Sequence, residues 1–248
     1  MDNSDFIDRA RHKIKQGLSD DDLIKRLLSF SDSLEKGENT IFEQLHDLYF
    51  LYYPEAASLL AERDKFIDAL KEACDRSSVS GKTGVRGDSM GYDLEDSEIQ
   101  LLSMSVNEIN NISDLKKLVD ERLREIMRAK YPNTTAVLGP ELAAEMLSLS
   151  GGSHSLINMP SSKIQVIGAE KAMFAARKRK LTPKYGIIYN HAVTMSVPDR
   201  LKGKAAKIIA AYASLAVKTD VLSRQDKSGE ILEKMSKAID KMRKKNGN

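Results

Sequence analysis

Heptad-spaced apolar residues in two long stretches limit what this 248-residue chain can fold into. In residues 19–53, apolar side chains recur every three or four positions and are interrupted at Ser31 and Glu38. Ser19 can cap a helix here, three aspartates follow it in the first turn, and Pro54 ends the helix. A helix of that length would span roughly 50 Å at about 1.5 Å per residue, which suits a helical hairpin or rod better than a small globular core.

A second long helix is predicted from about residue 94 to residue 130, with Ser105 and Lys116 interrupting its apolar line. A shorter helix, about residues 55–75, and a glycine-rich loop, residues 77–93, connect the two. Two long helices with matching seams predict an antiparallel coiled-coil arm. The seam is expected to carry heptad-spaced apolar residues: Leu34, Ile41, Leu45, Leu48, Ile109, Ile112 and Val119.

The pattern changes at residue 133, where segments become short and are separated by glycine and proline. Residues 185–193 are the only plausible extended segment, and no second strand is available to pair with them. Helical patterns occupy the remainder: residues 141–149, 169–180, 199–222 and 230–245, the last of them basic. The sequence therefore predicts an all-α chain with a tail (residues 1–19), a coiled-coil arm (residues 20–132) and a compact helical domain (residues 133–248).

Charge is distributed unevenly along the chain. Residues 1–140 hold 19 basic and 27 acidic side chains, a net charge of −8, whereas residues 141–248 hold 20 and 9, a net charge of +11. Residues 163–207 alone contain 11 basic and 2 acidic side chains. Such asymmetry indicates nucleic-acid contact by the basic half, and the alternative interpretation is a solvated basic face.

The basic residues form two clusters, RKRK at 177–180 and RLKGKAAK at 200–207. The second cluster begins a predicted helix, where cations oppose the helix dipole and are stabilised if an anion binds there. Tyr189 and His191 lie between the clusters and add rings that could stack on unpaired bases.

Other chemistries find little support in the sequence. The GKT at residues 81–83 lacks the glycine that a phosphate-binding loop requires five positions earlier, where Arg76 stands. The four histidines are widely spaced, and Cys74 is the single cysteine, so we predict no metal, no cofactor and no catalytic residues. No apolar run is long enough to span a membrane, and we predict a non-enzymatic protein without membrane contact. It is expected to be cytoplasmic in a cell without a nucleus and to have the equivalent nuclear role in a eukaryotic cell.

Several motifs resemble the Nop domain family in order along the chain. They are YYPEA (52–56), SMGYDL (89–94), LGPELAA (138–144), LSGG (149–152), MPSSKIQVIGAEKAMF (159–174), TPKYGIIY (182–189) and KGKAAKIIAAYASLAVKTD (202–220). The family includes scaffold proteins of box C/D guide ribonucleoproteins and a spliceosomal factor, and its members are not enzymes. The resemblance implies recognition of a kink-turn RNA already bound by its primary binding protein, of the ribosomal L7Ae type. It also implies that the coiled coil pairs with a second copy or a longer paralogue.

Matching this chain to the family residue by residue implies a set of RNA contacts. The expected contacts are Lys171, Arg177, Lys178, His191, Arg200, Lys202, Lys204 and Lys207. Archaeal members recruit the methyltransferase fibrillarin through a separate N-terminal domain, and only residues 1–19 precede the predicted arm, so fibrillarin binding is doubtful. An alternative function is a protein–protein adaptor or regulatory paralogue that dimerises without recruiting a methyltransferase.

Overall fold

The computed structural model of the chain describes Ile7 and residues 18–85, 88–169 and 184–245. These residues form helices and no strand, which confirms the predicted all-α fold class. The α-helices in chain order are α1 (Asp20–Tyr52), α2 (Pro54–Leu59), α3 (Arg63–Leu70), α4 (Arg76–Thr83), α5 (Asp96–Lys130), α6 (Pro132–Leu138), α7 (Pro140–Ser150), α8 (Ser153–Ile157), α9 (Ser161–Ile164), α10 (Ala192–Ser196), α11 (Asp199–Lys218) and α12 (Ser228–Lys245). In that part of the chain, every helix is too short or too polar to cross a membrane.

Two compact units make up the chain. The arm unit is Ser29–Asp120, and the basic unit joins Met1–Leu28 to Glu121–Asn248. The arm unit has 9 basic and 19 acidic side chains, a net charge of −10, and the basic unit has 30 and 17, a net charge of +13. The first residues of α1 and the last residues of α5 belong to the basic unit, so the arm unit is shorter at both ends than the predicted arm.

Polar contacts show how α1 and α5 run within the arm unit. Ser31 Oγ donates a hydrogen bond to Asp120 Oδ1 at 2.5 Å, and Lys116 Nζ lies 3.5 Å from Glu35 Oε2. Residue numbers rise along α1 as they fall along α5, so the two helices are antiparallel, as predicted. The coiled-coil supercoil itself stays a prediction. The buried residues that these two helices contribute to the arm core are Leu45, Tyr49, Tyr52, Leu102, Val106 and Ile109.

Two of the four residues that interrupt the predicted seams, those on α1, are buried and paired. Ser31 and Glu38 are among the buried polar residues of the chain. Ser31 bonds to Asp120, and Glu38 Oε2 lies 3.5 Å from Arg63 Nη1. A buried polar group with a partner is far less destabilising than one without, so these positions tolerate polar side chains inside the arm.

The segment connecting the two long helices differs from its prediction. The helix expected over residues 55–75 is two shorter helices, α2 and α3. The loop expected over residues 77–93 is wrong for its first part, which is α4. The Asp75 carboxylate caps this helix by accepting the Ser78 N–H at 2.9 Å, and Gly84 ends it in the left-handed conformation, with φ of +74°. These caps stabilise a helix whose glycine content argued against one.

Arg76 ties the connecting segment to the end of α1. Its guanidinium Nη2 donates to Tyr52 O at 2.7 Å and to Gly91 O at 2.9 Å. The Glu55 carboxylate accepts the Met90 N–H at 2.8 Å. A Cβ at residue 91 would lie 2.0 Å from Tyr52 O, so only glycine fits there. The motif residues of this segment therefore have a structural role.

Helix α11 forms the centre of the basic unit and packs against α6, α9 and α12. Its α-helical part ends at Lys218 and continues as a π-helical turn, Thr219–Ser223. The predicted helix over residues 199–222 is thus confirmed with a changed last turn. Small buried residues on α11 allow its neighbours to approach closely: Ala205, Ala206, Ala210, Ala213 and Ala216.

A buried carboxylate joins the π-helical turn to the start of α6. Asp220 accepts the backbone N–H groups of Asn133 and Thr134 at 3.0 and 2.8 Å. It also accepts the Asn133 side-chain amide and the Thr134 hydroxyl, both at 2.6 Å. Four hydrogen bonds satisfy a charge that is only 7% exposed, and two of them cap the first turn of α6.

Ser19 caps the start of α1, as its sequence predicts, and the structure adds a reciprocal bond that makes a capping box. Ser19 Oγ accepts the Asp22 N–H at 3.3 Å, and the Asp22 carboxylate accepts the Ser19 N–H at 3.0 Å. Asp21 does more than complement the helix dipole, because its carboxylate accepts the Tyr131 hydroxyl and the Ser153 N–H, the latter at 2.7 Å. Within the basic unit, Asp21 therefore connects α1 to the start of α8.

Residues 185–193, the one segment whose composition suited an extended conformation, form helical turns, as the all-α prediction requires. This segment holds a 3-10 helix, Ile187–Asn190, and the start of α10. Gly186 N–H and Ile187 N–H donate to the carbonyls of residues 165 and 167, both at 2.9 Å. The apolar run that looked like a strand is instead one turn, with Ile188 fully buried.

Candidate nucleic-acid interface

Three of the predicted RNA contacts lie on one face of α11. Arg200, Lys204 and Lys207 are separated by four and three residues, which places them above one another on a helix. All three are exposed. The α11 basic face, as we call these three residues, therefore presents a row of cations on the basic unit. The predicted contacts Lys171, Arg177 and Lys178 fall outside the residues that the structure describes.

Lys202 lies on the same helix but is held by its neighbours. Its ammonium Nζ is 2.7 Å from Asp199 Oδ1, and it donates to the Tyr189 hydroxyl at 3.3 Å. Nζ also lies 4.8 Å from the centroid of the Tyr189 ring, at cation–π distance. The hydrogen bond to Asp199, and then that to Tyr189, raise the pKa of Lys202, and the same ion pair lowers the pKa of Asp199. Lys202 is thus a paired cation, with its side chain only 14% exposed.

The tyrosine beside Lys202 belongs to a ring stack. The ring centroids of Tyr185 and Tyr189 are 5.1 Å apart and their planes differ by 22°. Tyr189 therefore contacts a second ring and a cation within its own unit. Stacking of an RNA base on Tyr189 stays a prediction.

His191 uses both ring nitrogens inside the basic unit. Nδ1 accepts the Val193 N–H at 3.2 Å, so the proton lies on Nε2, which donates to Val137 O at 2.9 Å. Burial lowers the pKa of His191, which keeps the imidazole neutral at neutral pH. In this arrangement His191 caps α10, and its RNA contact stays a prediction.

Sequence reasoning missed the two residues that hold Lys202. Asp199 and Lys202 are three residues apart in the first turn of α11, a spacing at which helical side chains pair, so a charge-pattern search could have found this ion pair. The Tyr189 contact depends on the 3-10 turn and has no comparable sequence signal.

The predicted seam residues separate into two sets in the arm unit. Leu45, Ile109 and Val119 are buried within the chain, at 4%, 2% and 7% exposure. Ile41 and Leu48, four residues before and three after Leu45, are instead 37% and 43% exposed. The inner set packs α1 against α5, and the outer positions leave apolar surface on the arm.

Apolar side chains continue the outer set along both long helices. We call this the outer seam: Phe30, Leu34, Ile41, Leu48 and Leu51 on α1, and Leu101, Met104, Leu115 and Leu118 on α5. Within the outer seam, Leu34 is half-buried and the other members are exposed. The predicted seam residue Ile112, which is not part of the outer seam, is also half-buried. Leucines and a phenylalanine repeated at helical spacing on a surface indicate a protein contact.

Three features that the sequence raised as possible chemical sites can be examined in the described part of the chain. No group of three or more His, Cys, Asp or Glu side chains there is placed to hold a metal ion. Gly81 and Lys82 lie inside α4, and Lys82 Nζ donates to Ala69 O at 3.0 Å, so the GKT sequence does not form a phosphate-binding loop. Cys74 is buried, and burial raises the pKa of its thiol, which disfavours a reactive thiolate.

The described residues define an all-α protein with a cationic helix face in its basic unit and an acidic arm unit that carries exposed apolar side chains. A family model described as "Nop: snoRNA binding domain, fibrillarin" matches residues 30–245. The chain therefore belongs to the Nop family, as its motifs predicted.

Named relatives agree with this assignment. An uncharacterized NOP5 family protein of Methanocaldococcus jannaschii is 31% identical over 240 residues, which cover 91% of this chain and 58% of that protein. Nucleolar protein 58 of Schizosaccharomyces pombe is 28% identical over 233 residues, which cover 88% of this chain and 46% of that protein. The chain thus spans about half the length of the curated relatives it matches.

A solved structure shares the fold. It is described as the crystal structure of a fibrillarin/Nop5p complex, and it matches with a TM-score of 0.57 and 22% sequence identity. The match covers 90% of this chain and 69% of that one. The expectation that fibrillarin binding is doubtful is not borne out by these comparisons, because both the family description and this complex name fibrillarin.

Proposed function

We propose that this protein is an RNA-binding assembly module of a ribonucleoprotein. In this proposal the basic unit recognises a kink-turn RNA together with its primary binding protein of the L7Ae type. The arm unit pairs with a second copy or with a longer paralogue. The protein acts as a scaffold and leaves any chemistry to its partners.

The observation that carries this proposal is the α11 basic face within a Nop-family chain. Arg200, Lys204 and Lys207 are exposed on consecutive turns of a helix whose other side is buried in the core. Cations in such a row contact successive phosphates without reading sequence. RNA identity would then come from the shape of the RNA and from the protein already bound to it.

The test is capture of labelled kink-turn RNA with and without the primary binding protein. Reversing Lys204 and Lys207 to glutamate should abolish the ternary complex while the helical circular dichroism stays unchanged. The control reverses Lys237 and Lys241 on α12, which changes the charge of the same unit by the same amount. If the control loses capture equally, or the first variant retains it, the α11 basic face is not the contact.

Salt dependence checks the electrostatic part separately. If about five phosphates are neutralised, the slope of log K against log salt concentration should be near about −4. Affinity that stays constant between about 50 and 200 mM salt would contradict phosphate contact.

The outer seam supports the pairing part of the proposal. An arm unit with a net charge of −10 is repelled by RNA, so its exposed apolar stripe is suited to protein. Leu48→Asp should abolish self-association, measured by light scattering, because it places a charge in an apolar contact. Leu115→Asp tests the α5 side, and Ser33→Asp, an exposed change on α1, is the control.

The adaptor function remains the second candidate, since the outer seam alone would suffice for it. A chain that pairs through its arm but gives no ternary complex with kink-turn RNA would favour the adaptor. Fibrillarin is retained as a candidate partner, and co-purification of the two proteins tests it. For localisation, the fungal relatives are named nucleolar proteins and one relative is archaeal, so we propose a nucleolar site of action in a eukaryotic cell and a cytoplasmic one in an archaeal cell.

A further inference from the structure

The ion pair at the start of α11 is an unusual feature of a surface expected to bind phosphate. Residues 163–207 contain only two acidic side chains, and one of them, Asp199, contacts a predicted RNA-binding lysine. The Asp199 carboxylate is 91% exposed, whereas the Lys202 side chain is 14% exposed. In this pair the carboxylate is therefore exposed to solvent and the lysine side chain is largely buried.

Both partners are held where they are by more than their mutual attraction. Asp199 lies in the first turn of a 20-residue helix, where the helix dipole favours an anion. Lys202 is fixed by the Tyr189 hydroxyl and ring, and Tyr189 is stacked on Tyr185. Because these contacts are made by neighbouring elements of one unit, the ammonium is positioned before any ligand arrives.

We propose that Asp199 competes, within the chain, for the position that an RNA phosphate takes on Lys202. RNA binding at this point is then an exchange of anions: a phosphate oxygen replaces the Asp199 carboxylate on the Lys202 ammonium, and Tyr189 keeps the ammonium in place. Asp199 is a specificity-determining residue in this scheme. The inference rests on the proposed RNA-binding function and adds a residue that sets its selectivity.

Selectivity follows from the difference between loosely and rigidly placed phosphates. A flexible single strand gains little by replacing one anion with another, so Lys202 adds almost nothing to its binding. A folded RNA held against α11 places its phosphate near Lys202 through its other contacts, and the exchange becomes favourable. The pair therefore weakens binding of unstructured RNA more than binding of the folded target.

The experiment compares the full chain with Asp199→Asn, Lys202→Met and the double variant. The probes are polyuridylate and a kink-turn RNA bound by its primary binding protein. Asp199→Asn should tighten polyuridylate binding roughly twofold to fivefold, the range set by a typical exposed ion pair, and should steepen the salt slope by about 0.7. It should change binding of the protein-bound kink-turn less.

Two comparisons separate the exchange from a simple change of net charge. Asp240→Asn on α12 removes one negative charge from the same unit and should leave polyuridylate binding unchanged. In the Lys202→Met background, Asp199→Asn should no longer tighten binding, because the cation it released is absent. An equal gain from Asp240→Asn, or an undiminished gain without Lys202, would overturn the proposal.

Failure of this inference differs from failure of the proposed function. If the wild-type chain captures the protein-bound kink-turn but Asp199→Asn binds polyuridylate no more tightly, the competition by Asp199 is refuted and RNA binding stands. If neither probe is bound by the wild type or by any variant, the RNA-binding function itself is refuted, and the exchange with it.

Discussion

The arm unit and the basic unit both bury an acidic side chain, and they satisfy it in different ways. Glu38 in the arm meets one cation, Arg63, at 3.5 Å. Asp220 in the basic unit accepts four hydrogen bonds, two of them from backbone N–H groups of α6. A single ion pair joins α1 to the short helix α3 at one point, whereas four converging bonds fix two chain segments as one piece.

This difference matches the tasks proposed for the two units. Two antiparallel helices can slide along each other, so polar pairs such as Ser31 with Asp120 help to specify one register. A surface that recognises a preformed RNA–protein shape needs its cations held in fixed places instead. Asp220 lies in the π-helical turn that continues α11, the helix that carries the basic face. Its hydrogen bonds therefore help to hold that helix in the core.

The largest expected effect comes from Asp220→Ala. Removing the carboxylate takes the acceptor from two buried backbone N–H groups and from the Thr134 hydroxyl, while Asn133 Nδ2 keeps its hydrogen bond to Gln225 O. The change should destabilise the basic unit by about 3–5 kcal/mol. Chemical denaturation followed by circular dichroism measures the loss. Asp240→Ala, an exposed change on α12, should leave stability unchanged. A loss below about 1 kcal/mol would show that the four bonds contribute little.

The next largest expected effect is the difference in stability between truncating a buried seam residue and truncating a residue of the outer seam. Leu45→Ala should cost about 2–5 kcal/mol because it opens a cavity in the arm core, where Leu45 is 4% exposed. Leu48→Ala, three residues later and 43% exposed, should stay within about 0.5 kcal/mol for the monomer. Denaturation at low protein concentration separates the monomer from any dimer. Equal losses would mean that Leu48 is buried in the monomer.

Replacing Ser31, a polar residue among the apolar seam positions of α1, should have a smaller effect on the stability of the arm unit. Ser31→Ala removes its hydrogen bond to Asp120, which keeps Lys116 at 3.0 Å, and should cost about 1 kcal/mol. Ser33→Ala, on the exposed side of α1, is the matched control. Native-state hydrogen exchange of α1 and α5 amides measures the change locally. A stabilised Ser31→Ala arm would indicate that this pair is retained for register and not for stability.

Heptad spacing made the two long helices predictable, because it is a local property of the sequence. Heptad spacing did not predict which seam residues are buried inside the arm unit and which are exposed. Ile41 and Leu45 are both heptad-spaced, and packing buries only Leu45. The α4 helix was missed because its stability comes from the Asp75 cap rather than from helix propensity. Residues 185–193 have the composition of a strand, but a strand needs a partner strand and the sequence offers none, so the all-α prediction held for this segment.

The basic face was partly predictable for the same reason. Arg200, Lys204 and Lys207 share a face by helical geometry alone. Lys202 and His191 were expected beside them as RNA contacts, but tertiary contacts with Tyr189 and Val137 decide their surroundings. The sequence therefore predicts on which face of a helix a charged side chain lies. It does not predict whether a tertiary contact, such as that of Lys202 with Tyr189, already holds that side chain.

The smallest expected effect is a difference between the two units in how their stability depends on pH. Burial lowers the pKa of His191 below its ordinary value of 6.5, so the unfolded basic unit binds a proton more readily than the folded one. The stability that this histidine contributes is therefore present above about pH 6.5 and is lost as the pH falls toward the lowered pKa. In the arm, hydrogen bonds from Ser77 and Ser78 lower the pKa of Asp75 to about 2, so its contribution persists until the pH falls below 3.8.

Acidification from about pH 7 to about pH 5 should thus weaken the basic unit through His191 while the Asp75 cap keeps its charge. Hydrogen exchange of α10 amides in the wild type and in His191→Asn measures this, because asparagine can cap α10 without titrating in this range. The wild type should lose protection in α10 on acidification, and the variant should lose less. Equal losses in the two proteins would show that His191 stays neutral over this range or that its protonation leaves α10 intact, and the acid sensitivity of the basic unit would then have to come from its carboxylates.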